Sequence, residues 1–239
     1  MIFKLISIVL SPFLVLQGLY TRQVTPQLPE ADGNKCGKHG KGEELKLWII
    51  GDSAAAGVGV ETQEQALSGR LVSYLAPHFS TNWQLDAKTG VNSEDLLSEL
   101  ANREQQQFDV VVLSIGVNDV TGLTNTNQWS ANLTSIIELL TNKFDVKHIL
   151  FSSIPPMGKF PALPQPLRWW LGIWALKLDR SLQDVTSPIS NCSYVPVTIP
   201  LVPECIAKDG FHPAATAYDI WAQTLAQEIR NKLTTSEFH

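Results

Sequence analysis

The run LKLWIIGDS, residues 45–53, decides how this chain is read. A short and almost wholly apolar stretch stops at Gly-Asp-Ser, which is the pattern of a strand buried on both faces and closed by a turn. VVVLSI at 110–115 repeats the pattern with β-branched residues and stops at Gly116-Val117-Asn118-Asp119. A weaker strand signal covers 83–87, a further strand covers 148–154, closed by Pro155 and Pro156, and 193–199 reads as the last strand. Helical spacing fills the gaps. Residues 65–79 carry Leu67, Leu71, Leu75 and Phe79 as one stripe, and 93–103 start with Ser93 as a candidate N-cap before Glu94 and Asp95. Helices are also expected over 129–144, 167–185 and 214–233. Strands that are apolar on both faces and alternate with helices imply a parallel sheet covered on both sides. The expected fold is therefore α/β, an open doubly wound sheet of about five parallel strands. In such sheets a ligand sits beyond the carboxyl ends of the strands.

Composition narrows the function. The chain has 239 residues, 44% of them hydrophobic and 17% charged, which suits a packed domain and excludes global disorder. A net charge of −5, with no block of like charges, argues against a nucleic-acid partner. Three cysteines are too few for a disulfide scaffold, although Cys192 and Cys205 could pair in an exported protein, leaving Cys36 over. No CxxC or HExxH stands in the sequence, so no metal or other cofactor is expected.

The first twenty residues differ from the rest. A positive start at Lys4 precedes an apolar run over 5–16, interrupted by Ser7, Ser11 and Pro12. This outlines a secretory signal peptide or, with Leu19 and Tyr20, an uncleaved membrane anchor; a helix buried in the domain is the alternative. Residues 21–44, with Pro26, Pro29, Gly33, Gly37, Gly40 and Gly42, read as a linker, and 45–239 as the folded domain. The protein is accordingly expected to be exported or membrane-anchored, with possible membrane association through residues 1–20.

The strand ends carry the chemistry. Ser53 follows the first strand, Gly90 the second, Asn118 the third, and Asp209-Gly210-Phe211-His212-Pro213 precedes the last helix. A serine hydroxyl needs a base to take its proton, and histidine titrates in the useful range. A carboxylate three residues upstream can fix the imidazole tautomer. The Ser53 amide, the Gly90 amide and the Asn118 carboxamide are candidate oxyanion donors. Ala54-Ala55-Ala56 is expected to start a helix, placing the Ser53 amide at its positive end. Asp52 and Asp119 are also in position to be the acid of the triad, but both read as structural carboxylates bonding loop amides.

GDSAAAGVG at 51–59, TGVNSEDLL at 89–97, GVND at 116–119 and DGFHP at 209–213 resemble the consensus blocks of the SGNH (GDS-type) hydrolase superfamily of esterases and lipases. The resemblance spans about 46–220. It implies a three-layer α/β/α, flavodoxin-like fold and a serine hydrolase cleaving carboxylic esters through an acyl-enzyme. Ser53, Asp209 and His212 would be catalytic, and Ser53, Gly90 and Asn118 would form the oxyanion hole. Ala217 stands where members often carry Gly, at a helix-packing position. A carbohydrate O-deacetylase, a lysophospholipase or a thioesterase could use the same site.

Residues 155–176 are rich in proline and aromatics. Leu167, Trp170, Leu171, Trp174, Leu178, Leu182 and Val185 form a core stripe. Trp169, Ile173 and Leu176 are surplus apolar surface, suited to an acyl-pocket wall or to a patch facing lipid or a partner. The expected partner is a small-molecule or lipid ester. Asn132-Leu133-Thr134 matches a glycosylation sequon, on a helix.

Overall fold

The computed structural model describes residues 2–200 and 202–236, with the backbone alone for 2–8, 235 and 236. Met1, the first residue of the leader-like segment, lies outside these residues. Five parallel strands, β2 (Glu43–Gly51), β3 (Phe79–Ala87), β4 (Val110–Ser114), β5 (His148–Ser152) and β6 (Cys192–Val195), make the central sheet. A sixth, β1 (Cys36–His39), pairs antiparallel with β3 at one edge, so the order is β1-β3-β2-β4-β5-β6. The order reverses around β2, whose neighbours are β3 and β4.

Alternate residues of each strand serve opposite faces. Leu45, Leu47, Ile49, Val110, Val112 and Leu150 pack under α2 (Leu67–Leu75) and α7 (Ala215–Ser236). Trp48, Ile50, Val111, Leu113, Ile149 and Phe151 pack under α3 (Ser93–Asn102), α5 (Thr126–Asn142) and α6 (Leu167–Thr186). The layering is thus α/β/α, with a short helix α4 (Val117–Thr121) opening directly from the β4 loop. On α6, Leu167, Leu171, Leu178 and Leu182 are buried in the core, whereas Trp169 and Leu176 are exposed.

The stretch read as a linker is held to the body along much of its length. Ala31 is buried, Asp32 bridges to Thr62, and 36–39 form the edge strand. Gly40, at φ +94, turns the chain from β1 into β2, and a Cβ there would lie 2.2 Å from the Phe79 carbonyl oxygen. The N-terminal helix α1 (Ile2–Val24) also docks, on α6. Among the described residues no helix is long and apolar enough to cross a membrane.

Candidate active site

The loops after β2, β3 and β4 and the turn before α7 meet at the carboxyl edge of the sheet, beside the point where strand order reverses. Ser53 Oγ lies 2.8 Å from His212 Nε2, across 159 positions of sequence. His212 Nδ1 lies 2.5 Å from Asp209 Oδ2. The other Asp209 oxygen accepts the amides of Phe211 (2.9 Å) and His212 (3.0 Å), so the DGFH turn folds back on its own carboxylate. Burial pushes the Asp209 carboxyl up, but the imidazole and the amide bonds outweigh it and hold the group below the ordinary carboxylate range. An ionised Asp209 accepting from Nδ1–H leaves Nε2 as the acceptor of the Ser53 hydroxyl proton.

The three candidate oxyanion donors are unspent. Among the described residues neither the Ser53 amide nor the Gly90 amide has a backbone or side-chain acceptor. Asn118 Nδ2 gives one hydrogen to the Val91 carbonyl at 2.9 Å, which leaves its second available. Gly90 sits at φ +91, where a Cβ would meet nothing within 4 Å, so the glycine serves the backbone conformation and faces open space.

Asp52 and Asp119 do not bond His212. Asp52 is buried and accepts the Ala54 amide at 3.0 Å. Burial raises its pKa to about 6. Asp119 is fully buried and accepts both the amide (3.0 Å) and the hydroxyl (2.6 Å) of Ser93. Burial raises the Asp119 carboxyl as well, against these bonds. Asn132 donates to the same Ser93 hydroxyl at 2.8 Å and is itself buried, so the sequon asparagine is committed to packing. Ser93 is therefore tied to Asp119, and the N-cap of α3 is Asn92, which accepts from Glu94 and Asp95.

A second expectation is corrected at Ser53. Residues 53–59 form consecutive turns and not a helix. Gly57 and Gly59 sit at φ +86 and +108, which the right-handed helix excludes, so no helix end faces the Ser53 amide. The loop is held instead by Tyr218, whose hydroxyl donates to the carbonyls of Ala54 (2.9 Å) and Val58 (2.8 Å).

A cavity of about 290 Å³ opens beside Ser53 and His212, walled by Ile115, Val117, Pro155, Pro156, Phe160, Val197, Ile199, Phe211 and Trp221. Phe160 and Phe211 meet edge to face at 5.0 Å. Trp169, Ile173 and Leu176 take no part in this wall. Among the described residues no group of three or more His, Cys, Asp or Glu is disposed to hold a metal ion. Cys36, Cys192 and Cys205 are free thiols, the last lining the cavity.

Comparison with known proteins places the chain in a family. The chain is 25% identical over 250 residues to the GDSL-like esterase Rv1075c of Mycobacterium tuberculosis, covering 92% of this chain and 77% of that protein. The lipase/acylhydrolase from Enterococcus faecalis superposes with a TM-score of 0.59 at 20% identity, over 79% of this chain and 96% of that one. The acetylxylan esterase Axe2 of Geobacillus stearothermophilus gives 0.56 at 19% identity, over 79% and 95%. Residues 49–220 match the model of the GDSL-like Lipase/Acylhydrolase family, the span that holds Ser53, Gly90, Asn118, Asp209 and His212, and the chain belongs to that family.

Proposed function

We propose that the protein is a serine hydrolase that cleaves carboxylic esters through an acyl-enzyme intermediate, with Ser53 as nucleophile, His212 as base and Asp209 as its orienting carboxylate. The observation that carries this reading is the continuous relay from Ser53 Oγ through His212 to Asp209, at 2.8 and 2.5 Å, at the mouth of an apolar cavity. Ser53 Oγ adds to the ester carbonyl while His212 Nε2 takes its proton. The carbonyl oxygen becomes an oxyanion, held by the Ser53 and Gly90 amides and the free Asn118 N–H. Loss of one such donor lowers the rate by about 10²–10³. The tetrahedral adduct collapses, the C–O bond breaks, and His212 returns the proton to the departing alcohol. Water then repeats the sequence on the acyl-serine and releases the acid. Asp209 stays ionised and stabilises the imidazolium in both halves.

Carbon-lined walls favour an ester with an apolar acyl group, and the volume favours a short one, since small-ligand pockets start at about 300 Å³. The test is turnover of p-nitrophenyl acetate, butyrate and longer esters by the full chain, beside Ser53→Ala and His212→Ala. Both variants should lose at least about 10³ of kcat. A fluorophosphonate probe should label Ser53 and no other serine. Ser53→Ala with undiminished turnover would refute the proposal, and strong preference for acetylated polysaccharide over butyrate would shift it to a carbohydrate O-deacetylase.

A further inference from the structure

From a different part of the molecule, and independently of the catalytic reading, we infer that α1 stays on the mature protein and lies flat in a lipid surface, docked on α6 along one side and immersed along the other. The helix is anchored by specific bonds. Gln17 Nε2 donates to the Gln165 carbonyl at 2.7 Å and Gln17 Oε1 accepts the Leu167 amide at 3.1 Å. Leu14 is buried in the same contact, and Leu10 packs on the core behind it. A segment made only for removal has no need of such a side-chain clasp on the domain.

The opposite side has no cover. Val9, Phe13, Leu16 and Tyr20 follow one another at spacings of four, three and four, and Val15 and Leu19 widen the stripe; all six are at least 60% exposed. At 100° per residue these positions span about half the helix circumference. Residues 5–21 contain no charge at all. On α6, Trp169 and Leu176 add exposed apolar surface two turns apart. Scattered exposed apolar side chains are ordinary, but a continuous set of this extent marks an interaction surface.

The breadth of the stripe selects the occupant. A partner helix, including a second copy, covers a narrow seam, whereas a fluid apolar phase covers half a helix at once. Tyr20 and Trp169 have the ring-plus-polar-tip character of side chains at a lipid–water boundary. Arg22, exposed just past the stripe, is placed for headgroup phosphates. The chain's net charge of −5 removes general attraction to anionic lipid, so attachment rests on apolar insertion. Along the chain, Gln165, held by Gln17, stands five residues after Phe160, a wall of the cavity.

The test is flotation of the full chain with vesicles of pure phosphatidylcholine, at low and high salt, with the double variant Phe13→Glu/Leu16→Glu and with Leu176→Glu. Wild type should float at both salt concentrations. The double variant should partition at least about tenfold less, and Leu176→Glu several-fold less, both with unchanged ester turnover and helical content. Three results would overturn the inference: no flotation of wild type, flotation abolished by salt, or a wild-type dimer that the double variant converts to monomer without any vesicle binding. Intact mass of the protein from its own cells lacking residues 1–20 would overturn it equally, by making the segment a leader.

Discussion

Glu30 holds the loop that carries Gly90: one carboxylate oxygen accepts both the Thr89 amide (2.8 Å) and the Thr89 hydroxyl (3.0 Å). Glu30 lies 59 residues upstream, in a stretch whose composition reads as a connector. The same stretch braces the Ser53 loop, because Gln63 donates to the carbonyls of both Ala31 and Ala56. Two of the loops that meet at the site are therefore clamped by side chains outside the Ser53–His212–Asp209 set.

Glu30→Ala should lower kcat about three- to tenfold with little change in KM, because a loosened Gly90 amide weakens only the charge that develops in the transition state. Glu30→Gln, which keeps an acceptor, should recover most of the loss. Steady-state kinetics on one ester decide this. Equal falls in kcat for both variants, or a rise in KM alone, would remove Glu30 from the positioning of Gly90.

The five parallel strands, the helices that cover them and the strand-end loops were legible because burial on both faces leaves long apolar runs, and turns after them demand glycine and short polar residues. The edge strand was not. Its sequence, CGKH, is exposed at every position, and its pairing comes from the backbone alone. Phe79 extended the helical stripe of 65–79 by spacing, yet it opens β3, because the register with β2 begins there. Ala54-Ala55-Ala56 has high helix propensity, but Gly57 and Gly59 and the Tyr218 clasp impose turns. Ser93 has the composition of an N-cap, yet Asn92 takes that position and Ser93 turns inward to a carboxylate remote in sequence. In each instance a tertiary bond that local pattern cannot encode took part in the outcome, joined at 53–59 by the local signal of Gly57 and Gly59.

Asp119→Ala should be among the most disruptive substitutions outside the relay. It removes the acceptor of two Ser93 donors at a site with no access to water, leaving both unpaired at a cost on the order of 2–4 kcal/mol. Ser93→Ala strands the Asn132 amide hydrogen and one Asp119 oxygen but keeps the bond from the Ser93 amide to the carboxylate, and should cost less, about 1–3 kcal/mol. Urea denaturation gives both values. Asp119→Ala less harmful than Ser93→Ala would contradict the role given to this carboxylate.

Asp52 supplies a pH dependence of stability. Burial raises its pKa to about 6, above the unfolded value, so the folded state binds the proton more tightly. The stabilisation from that proton is full below the unfolded pKa, fades as pH rises from about 4 to about 6, and is absent above; its whole span is about 3 kcal/mol. Asp209 acts with the opposite sign. Its pKa is held down, so its contribution is present at neutral pH and lost on acidification through its folded pKa. Asp52→Asn should therefore gain on wild type as pH rises from 4 to 7, measured by denaturant midpoints across that range. A stability difference that stays constant with pH would show that Asp52 does not titrate there.

Phe160 should set the acyl length. Its ring stands edge-on against Phe211 in the cavity wall, and Phe211 in turn meets the His212 ring at 5.4 Å. Truncating Phe160 opens volume in the cavity wall, one ring away from His212, and removes apolar contact with a short chain. Phe160→Ala should then lower kcat/KM for the butyrate ester about tenfold and raise the ratio of octanoate to butyrate, each lost or gained methylene in an apolar pocket being worth about 1 kcal/mol or more. It should also cost about 3 kcal/mol of stability, since the side chain is buried and closes the loop after β5. Competition between the two esters in one reaction reads the ratio directly and cancels any loss of folded enzyme. An unchanged ratio would place the acyl chain elsewhere and leave this cavity to the alcohol half of the substrate.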